Sequence, residues 1–247
     1  MPTGAIEARY DGHAEFYDRL FAAYTDATES PGGDLARLVG PPSGDGWVLD
    51  VCCGGGLSGL ALAAAGWRVM GVDISPDQLR LASRRLGAVV RADAHRLPVR
   101  SGSIGHAAAM FAHTDVDDFG AMVGEVARVL SPGGHFAYVG THPCFVGPHI
   151  DSPLVSDERL SISAGYGDAR WVPPEAFDTP RFGPGIRRRV GARHVPLAGL
   201  LAAFIDAGLA LEQVCEAGGG LVPWRLGLAA VKAQRGWRSS RRHPANS

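Results

Sequence analysis

Residues 47–59 read Trp-Val-Leu-Asp-Val-Cys-Cys-Gly-Gly-Gly-Leu-Ser-Gly, and no other stretch restricts the fold as much. The apolar run Trp47-Val48-Leu49 ends in Asp50, glycines fill 54–56, and an alanine- and leucine-rich segment follows. A strand, a tight glycine turn and a helix start, in that order, form a nucleotide-binding α/β unit. Glycine lets the chain bend sharply there, and lets a ligand approach the main chain without meeting a Cβ.

Two cofactor readings compete. Gly54-x-Gly56-x-x-Gly59 fits the dinucleotide pattern, and Asp73 follows at the distance of a ribose-binding acid. Asp50 argues against a dinucleotide, because a carboxylate just before the turn repels a pyrophosphate and suits a ligand carrying an ammonium group. On these residues the chain resembles the class I S-adenosylmethionine-dependent methyltransferases, whose first motif reads roughly D-x-G-x-G-x-G. Cys52 takes the place of the first glycine, while Gly54 and Gly56 keep the second and third. Quinone-biosynthesis methyltransferases of this class often carry a similar Asp-Val-Cys-Cys-Gly run.

The resemblance implies roles for residues that recur down the chain. Asp50 and the turn would hold the methionine end of the cofactor, S-adenosyl-L-methionine, with Cys52, Gly54 and Gly56. Asp73, with Ile74 beside it, would accept from both ribose hydroxyls. Asp93 would accept from the adenine amino group, and the Ala94 amide would donate to the ring. Phe111 and Tyr17 complete the expected cofactor set. Arg128-Val129-Leu130-Ser131-Pro132-Gly133-Gly134 matches a family signature with a structural job. Each aspartate alone reads equally as a helix cap or turn former. Asp50, Asp73 and Asp93 at successive strand tips all point to the edge where ligands bind in open α/β sheets.

The 247 residues, 46% hydrophobic, suffice for one α/β domain with a large core. A formal net charge of −1 gives no reason to expect nucleic acid or an anionic membrane as partner. Four cysteines without paired spacing and the lack of a long apolar run make a soluble cytoplasmic protein the default expectation. Oligomeric state is not legible.

Residues 5–24 read as a polar-aromatic helix with Tyr10, Phe16, Tyr17 and Tyr24, so 1–40 forms an N-terminal helical cover. The main domain runs over 41–234, and 235–247 is a basic tail expected to be disordered. Strands are expected at 47–51, 67–72, 88–92, 104–111, 135–140, 209–216 and 224–233. Helices are expected near 34–39, 57–65, 76–86, 116–130 and 197–207, with Ser131 to Gly134 turning the 116–130 helix into the next strand. This alternation implies a doubly wound, mostly parallel sheet, and the resemblance implies the order 3-2-1-4-5-7-6 with the last strand antiparallel. Residues 142–195 break the alternation and read as an insertion, a lid over the substrate.

His113, just past the fourth strand, and His142, just past the fifth, are the candidate general bases. His113 stands where many small-molecule O-methyltransferases carry a catalytic histidine followed by Asp, although Thr114 here precedes Asp115. His142-x-Cys144 with His149 and Asp151 matches no structural zinc spacing, so no metal is expected. Phe145, Tyr166, Trp171, Phe177 and Phe182 build either an apolar acceptor pocket or a small core of the insertion's own. Arg187-Arg188-Arg189 with Arg193 binds a substrate anion or forms a solvated face. The resemblance implies methyl transfer to an oxygen, nitrogen or carbon nucleophile of a small, cyclic or aromatic metabolite. A same-fold cofactor binder without methyl transfer, such as a cyclase or regulatory subunit, and a nicotinamide-dependent reductase remain as alternatives.

Overall fold

The computed structural model describes residues 8–22, 30–151, 161–162, 164–178, 185–219 and 222–233. In chain order its first elements are α1 (Ala14–Ala22), α2 (Pro31–Val39), β1 (Trp47–Val51), α3 (Leu57–Ala64), β2 (Arg68–Asp73), α4 (Pro76–Ala82) and β3 (Ala88–Arg91). Then come β4 (Ile104–Met110), α5 (Phe119–Val129) and β5 (Leu130–Thr141). Short pieces follow: β6 (Ile150–Asp151), β7 (Ser161–Ile162), β8 (Arg170–Val172), α6 (Arg187–Val190) and β9 (Ala192–His194). The chain closes with α7 (Leu197–Asp206), β10 (Leu209–Ala217) and β11 (Arg225–Lys232). Tyr24, Phe182 and the basic tail lie outside the described residues.

A seven-stranded sheet has the order β10-β11-β5-β4-β1-β2-β3. With β10 and β11 as its sixth and seventh strands, this is 3-2-1-4-5-7-6. β11 runs antiparallel to both neighbours, while β1 to β5 pair in parallel. Side chains alternate between the two faces. Leu49, Ala107, Ala109, Phe136 and Tyr138 meet α5 and α7 residues such as Met122, Val126 and Phe204 on one face. Val48, Ala108, Ala137 and Val139 meet Leu35 of α2 and Leu62 of α3 on the other. This two-period in successive strands is what a sheet covered on both faces requires.

Local chemistry sets the helix starts. The Ser30, Ser75 and Asp118 side chains accept from Gly33 N, Gln78 N and Ala121 N, capping α2, α4 and α5. Those caps shift several boundaries from expectation: α2 begins at Pro31 and α5 at Phe119. The N-terminal helix is confined, among the described residues, to 14–22, after turns at 9–13.

One difference is larger. Ser131 to Gly134 do not form a turn before the fifth strand but belong to β5, whose Leu130 already pairs with Ile104. The extra residues are absorbed by a register shift between Ile104 and His106. Gly134 permits it, since a Cβ there would lie 2.9 Å from Ser131 O and 3.1 Å from Gly105 O.

A buried ion pair ties the start of β11 to α2. Arg225 Nε donates to Asp34 Oδ2 at 2.7 Å, both side chains are buried, and Arg37 also reaches Asp34. Removing one member leaves the other's charge uncompensated. Asp34→Ala should therefore lower stability by roughly 3–5 kcal/mol, read as a shifted urea midpoint at unchanged slope. A change within about 0.5 kcal/mol, the range of an ordinary surface substitution, would show that the pair contributes little.

Candidate active site

The site lies at the carboxyl edge of the sheet, between the tips of β1 and β4. Strand order reverses there: the chain leaves β1 toward β2 on one side, and β4 flanks β1 on the other. Such a switch point leaves a crevice. At its two lips stand Cys52 and Phe111, each with φ +58°, the non-glycine residues in left-handed backbone among those described. A left-handed non-glycine residue costs roughly 1–2 kcal/mol, and such strain concentrates at functional sites. It also explains why the related motif has glycine where this chain has Cys52.

Three contiguous lobes follow this edge, and Cys52 lines all of them. The central lobe is bounded by Tyr10, Tyr17, Gly54, Asp73, Ile74 and Phe111. One neighbour is walled by Asp93, Ala94, His95 and Val116. The other is walled by Phe21, Gly32, Gly55, Ser58 and Met110. The sequence-predicted cofactor residues Tyr17, Cys52, Gly54, Asp73, Ile74, Asp93, Ala94 and Phe111 are thus brought together around one cleft. Asp50 and Gly56 are buried and line none of the three lobes.

Asp50 is fully buried, and its Oδ2 accepts from Ser58 Oγ of α3 at 2.7 Å. Its Oδ1 is buried without a hydrogen-bond partner. Burial lifts its pKa from 3.8 to about 7, against the lowering effect of the Ser58 bond. A buried carboxylate with one free oxygen beside a glycine turn fits a ligand with a cationic amino group. Asp73 accepts from Gly54 N at 2.8 Å and Ser75 N at 2.9 Å, so it orders both turns while facing the cleft. Burial raises its pKa and these backbone donors oppose the rise. Asp93 Oδ1 accepts from His95 N and meets His95 Nδ1 at 2.7 Å.

The candidate bases are placed differently. His113 is 2% exposed, with Nδ1 2.5 Å from Tyr138 Oη and Nε2 3.4 Å from Thr141 Oγ1. Burial lowers its pKa to about 3. Its ring packs edge-on to Phe119 and Tyr138 in the core. Asp115, weighed above as a partner for His113, turns instead to Arg187 and Tyr10. His142 Nδ1 accepts from Cys144 N, so its Nε2 carries the proton donated to Glu216 at 2.7 Å. That bridge spans β11 from β5 to β10, and His142 N donates to Trp224 O.

The stretch between β5 and α7 has its own small core of Val172, Phe177 and Ala192. In the same stretch His149, His194 and Tyr166 pack ring to ring. Among the described residues no group of three or more His, Cys, Asp or Glu side chains is placed to hold a metal ion, and no helix is long and apolar enough to cross a membrane.

Sequence reasoning missed Arg9, Trp224 and the work of Asp115 and Arg187. Trp224 stacks on Phe111 at 6.3 Å and 15°. Its indole leans on Gly218, where a Cβ would come within 2.2 Å. The signal for Trp224 was an aromatic at the end of a glycine-rich link, and it identifies no partner until the sheet is folded.

A methyltransferase domain profile matches residues 48–134. A demethylmenaquinone methyltransferase from Clavibacter sepedonicus is 33% identical over 142 residues, which are 53% of this chain and 56% of that protein. The chain thus spans about half the length of that relative. Another, from Mycobacterium marinum, is 32% identical over 231 residues, 89% of this chain and 87% of that one. The crystal structure of an S-adenosylmethionine-dependent methyltransferase from Mesorhizobium loti superposes with a TM-score of 0.63 at 24% identity, covering 83% of this chain and 98% of the other.

The two shifted buried groups pull stability in opposite directions with pH. Between about 4 and 6.5, unfolded His113 binds a proton that the folded form refuses, so its contribution to stability grows as pH rises. Folded Asp50 keeps its proton up to about 7 while the unfolded chain loses it from 3.8, so its contribution falls as pH rises. His113→Gln should therefore lose stability relative to wild type on going from pH 4.5 toward 6.5, and Asp50→Asn should gain it (both pH values chosen inside those windows, about 4–6.5). Urea denaturation at the two pH values checks this, and parallel behaviour of the two variants would refute the assignment.

Proposed function

Because this chain belongs to the class I S-adenosylmethionine-dependent methyltransferases, we propose that it transfers a methyl group to a small, ring-bearing acceptor of the demethylmenaquinone kind. The observation that carries the reading is the single cleft, with carboxylates along one half and aromatic rings at the other end. Asp50 and the amides of the glycine turn would hold the amino-acid end of the cofactor, Asp73 the ribose, and Asp93 with Ala94 the adenine. When bound, S-adenosylmethionine supplies a methyl group already activated on a sulfonium.

The chain's own work is then positioning and exclusion of water. Tyr17 packs tilted against Phe21 with ring centres 4.4 Å apart, and Phe21 meets Phe111 at 5.9 Å. Trp224 stacks on Phe111 in turn and extends that row of rings. These rings suit a planar acceptor held against the methyl-donating end. His113 is neutral at physiological pH and tied to Tyr138, and His142 is committed at both nitrogens. Within this reading both hold the acceptor side in shape, which favours a nucleophile electron-rich enough to need little help from a base. Family membership removes the nicotinamide alternative.

Incubation with methyl-labelled S-adenosylmethionine and demethylmenaquinone tests the proposal directly. Label should appear in the ring-bearing product, and tight cofactor binding without transfer to it would favour the non-catalytic alternative. Asp73→Asn should raise the cofactor Kd by about tenfold or more, from the lost charge on one strong acceptor; calorimetry that finds no change would remove the ribose role. Trp224→Ala should raise the acceptor KM by roughly tenfold, from lost stacking and contact area, with cofactor Kd unmoved. Equal effects on both constants would place Trp224 in the scaffold instead.

A further inference from the structure

The arginine cluster has no part in the reading above, and its members have separate partners. Arg188 pairs with Asp178, Arg189 lies 4.0 Å over the Phe16 ring, and Arg193 approaches Asp117 at 3.6 Å. Arg188 and Arg189 stay exposed, as a solvated face requires, on the short helix α6. Arg187, at the start of α6, reaches Asp115 in the wall of the cleft. Its Nη1 donates to Asp115 Oδ1 at 2.5 Å, and its Nη2 to Asp115 Oδ2 at 3.2 Å and to Thr114 Oγ1 at 2.8 Å.

Asp115 lines both the central lobe and the lobe holding Asp93. Its carboxylate also accepts from Tyr10 Oη at 3.1 Å and Thr114 Oγ1 at 3.0 Å, while its carbonyl accepts from Arg9 at 2.5 Å. Three segments distant in sequence therefore meet at one carboxylate: the N-terminal strap, the turn after β4, and α6 of the insertion. Forked, charge-assisted bonds of this kind fix geometry better than a single neutral contact. With its oxygens shared among these donors, Asp115 serves to hold the walls of the cleft together.

We propose that Arg187 and Asp115 are a positioning pair that makes the insertion part of the cofactor site. Arg187 holds Asp115, Asp115 holds Tyr10 and the Thr114–Val116 turn, and these line the cleft. The inference rests on the methyltransferase reading for the identity of the cofactor. By linkage, whatever factor the pair adds to cofactor affinity, bound cofactor adds to the ordering of α6.

The test uses S-adenosylhomocysteine as the probe, with the full chain in each variant. Arg187→Gln should raise its Kd by about tenfold, Arg187→Lys by less, and Asp115→Asn with Arg187→Gln together by no more than the worse single change. Hydrogen exchange should show amides of 187–194 slowed by the ligand in wild type and not in Arg187→Gln. A scaffold role alone would alter exchange there with and without ligand alike, and would leave Kd unchanged in a folded variant. That result, or additive effects in the double variant, would overturn the pair. If Arg187→Gln fails to fold, Arg187→Lys is read by the same two measurements. Wild type that fails to bind the probe would overturn the methyltransferase reading as well, which separates the two failures.

Discussion

The reversal of strand order between β1 and β4 is the constraint on which the rest depends. Two parallel neighbours whose chains depart in opposite directions leave an opening that no crossover helix covers. This protein lines that opening with main chain forced left-handed at Cys52 and Phe111. The strain is tolerated because each residue directly follows a strand buried among neighbours, with Phe111 N bonded to Val139 O and Cys53 N to Val72 O. A packed sheet over-determines its strand tips, and the tips can then hold shapes that a free loop would abandon.

Charge follows from that geometry. Asp50, Asp73, Asp93 and Asp115 come to the same edge, and the chain treats them differently. Asp50 is buried with one hydroxyl donor, Asp73 is held by backbone amides, Asp93 is held by a histidine, and Asp115 is saturated by an arginine fork. The least compensated carboxylate is deepest, under the glycine turn, where a cationic ligand group gains most from low local dielectric. The most compensated one stands where segments must be joined.

Much of this was legible because it is local. Strand–turn–helix order, the aspartates at strand tips and the sheet order all follow from patterns within a few residues or from the family motif. The fifth strand was misjudged at its start, since Ser-Pro-Gly-Gly carries every turn signal, and only pairing of Leu130 with Ile104 makes it strand. The pairing of Arg187 could not be read, because Arg187 and its partner Asp115 are 72 positions apart and chemically ordinary. Trp224 was opaque for the same reason. Its importance comes from Phe111 on a different strand and from the bare backbone of Gly218.

The strap over residues 8–22 is fastened by polar contacts along its length. Arg9 meets Asp117, Gly12 N meets Asp77, Asp18 takes a fork from Arg85, and Glu15 meets Arg80 at 3.4 Å. Several of these are solvent-facing and individually worth little, so the strap behaves as a zip of weak teeth: it holds as a set and parts one contact at a time. Tyr10 and Tyr17 of the same strap line the cleft. The ionic strength of the medium, which screens such teeth over distances of about 8–10 Å, therefore acts on this wall of the cleft before it acts on the buried core.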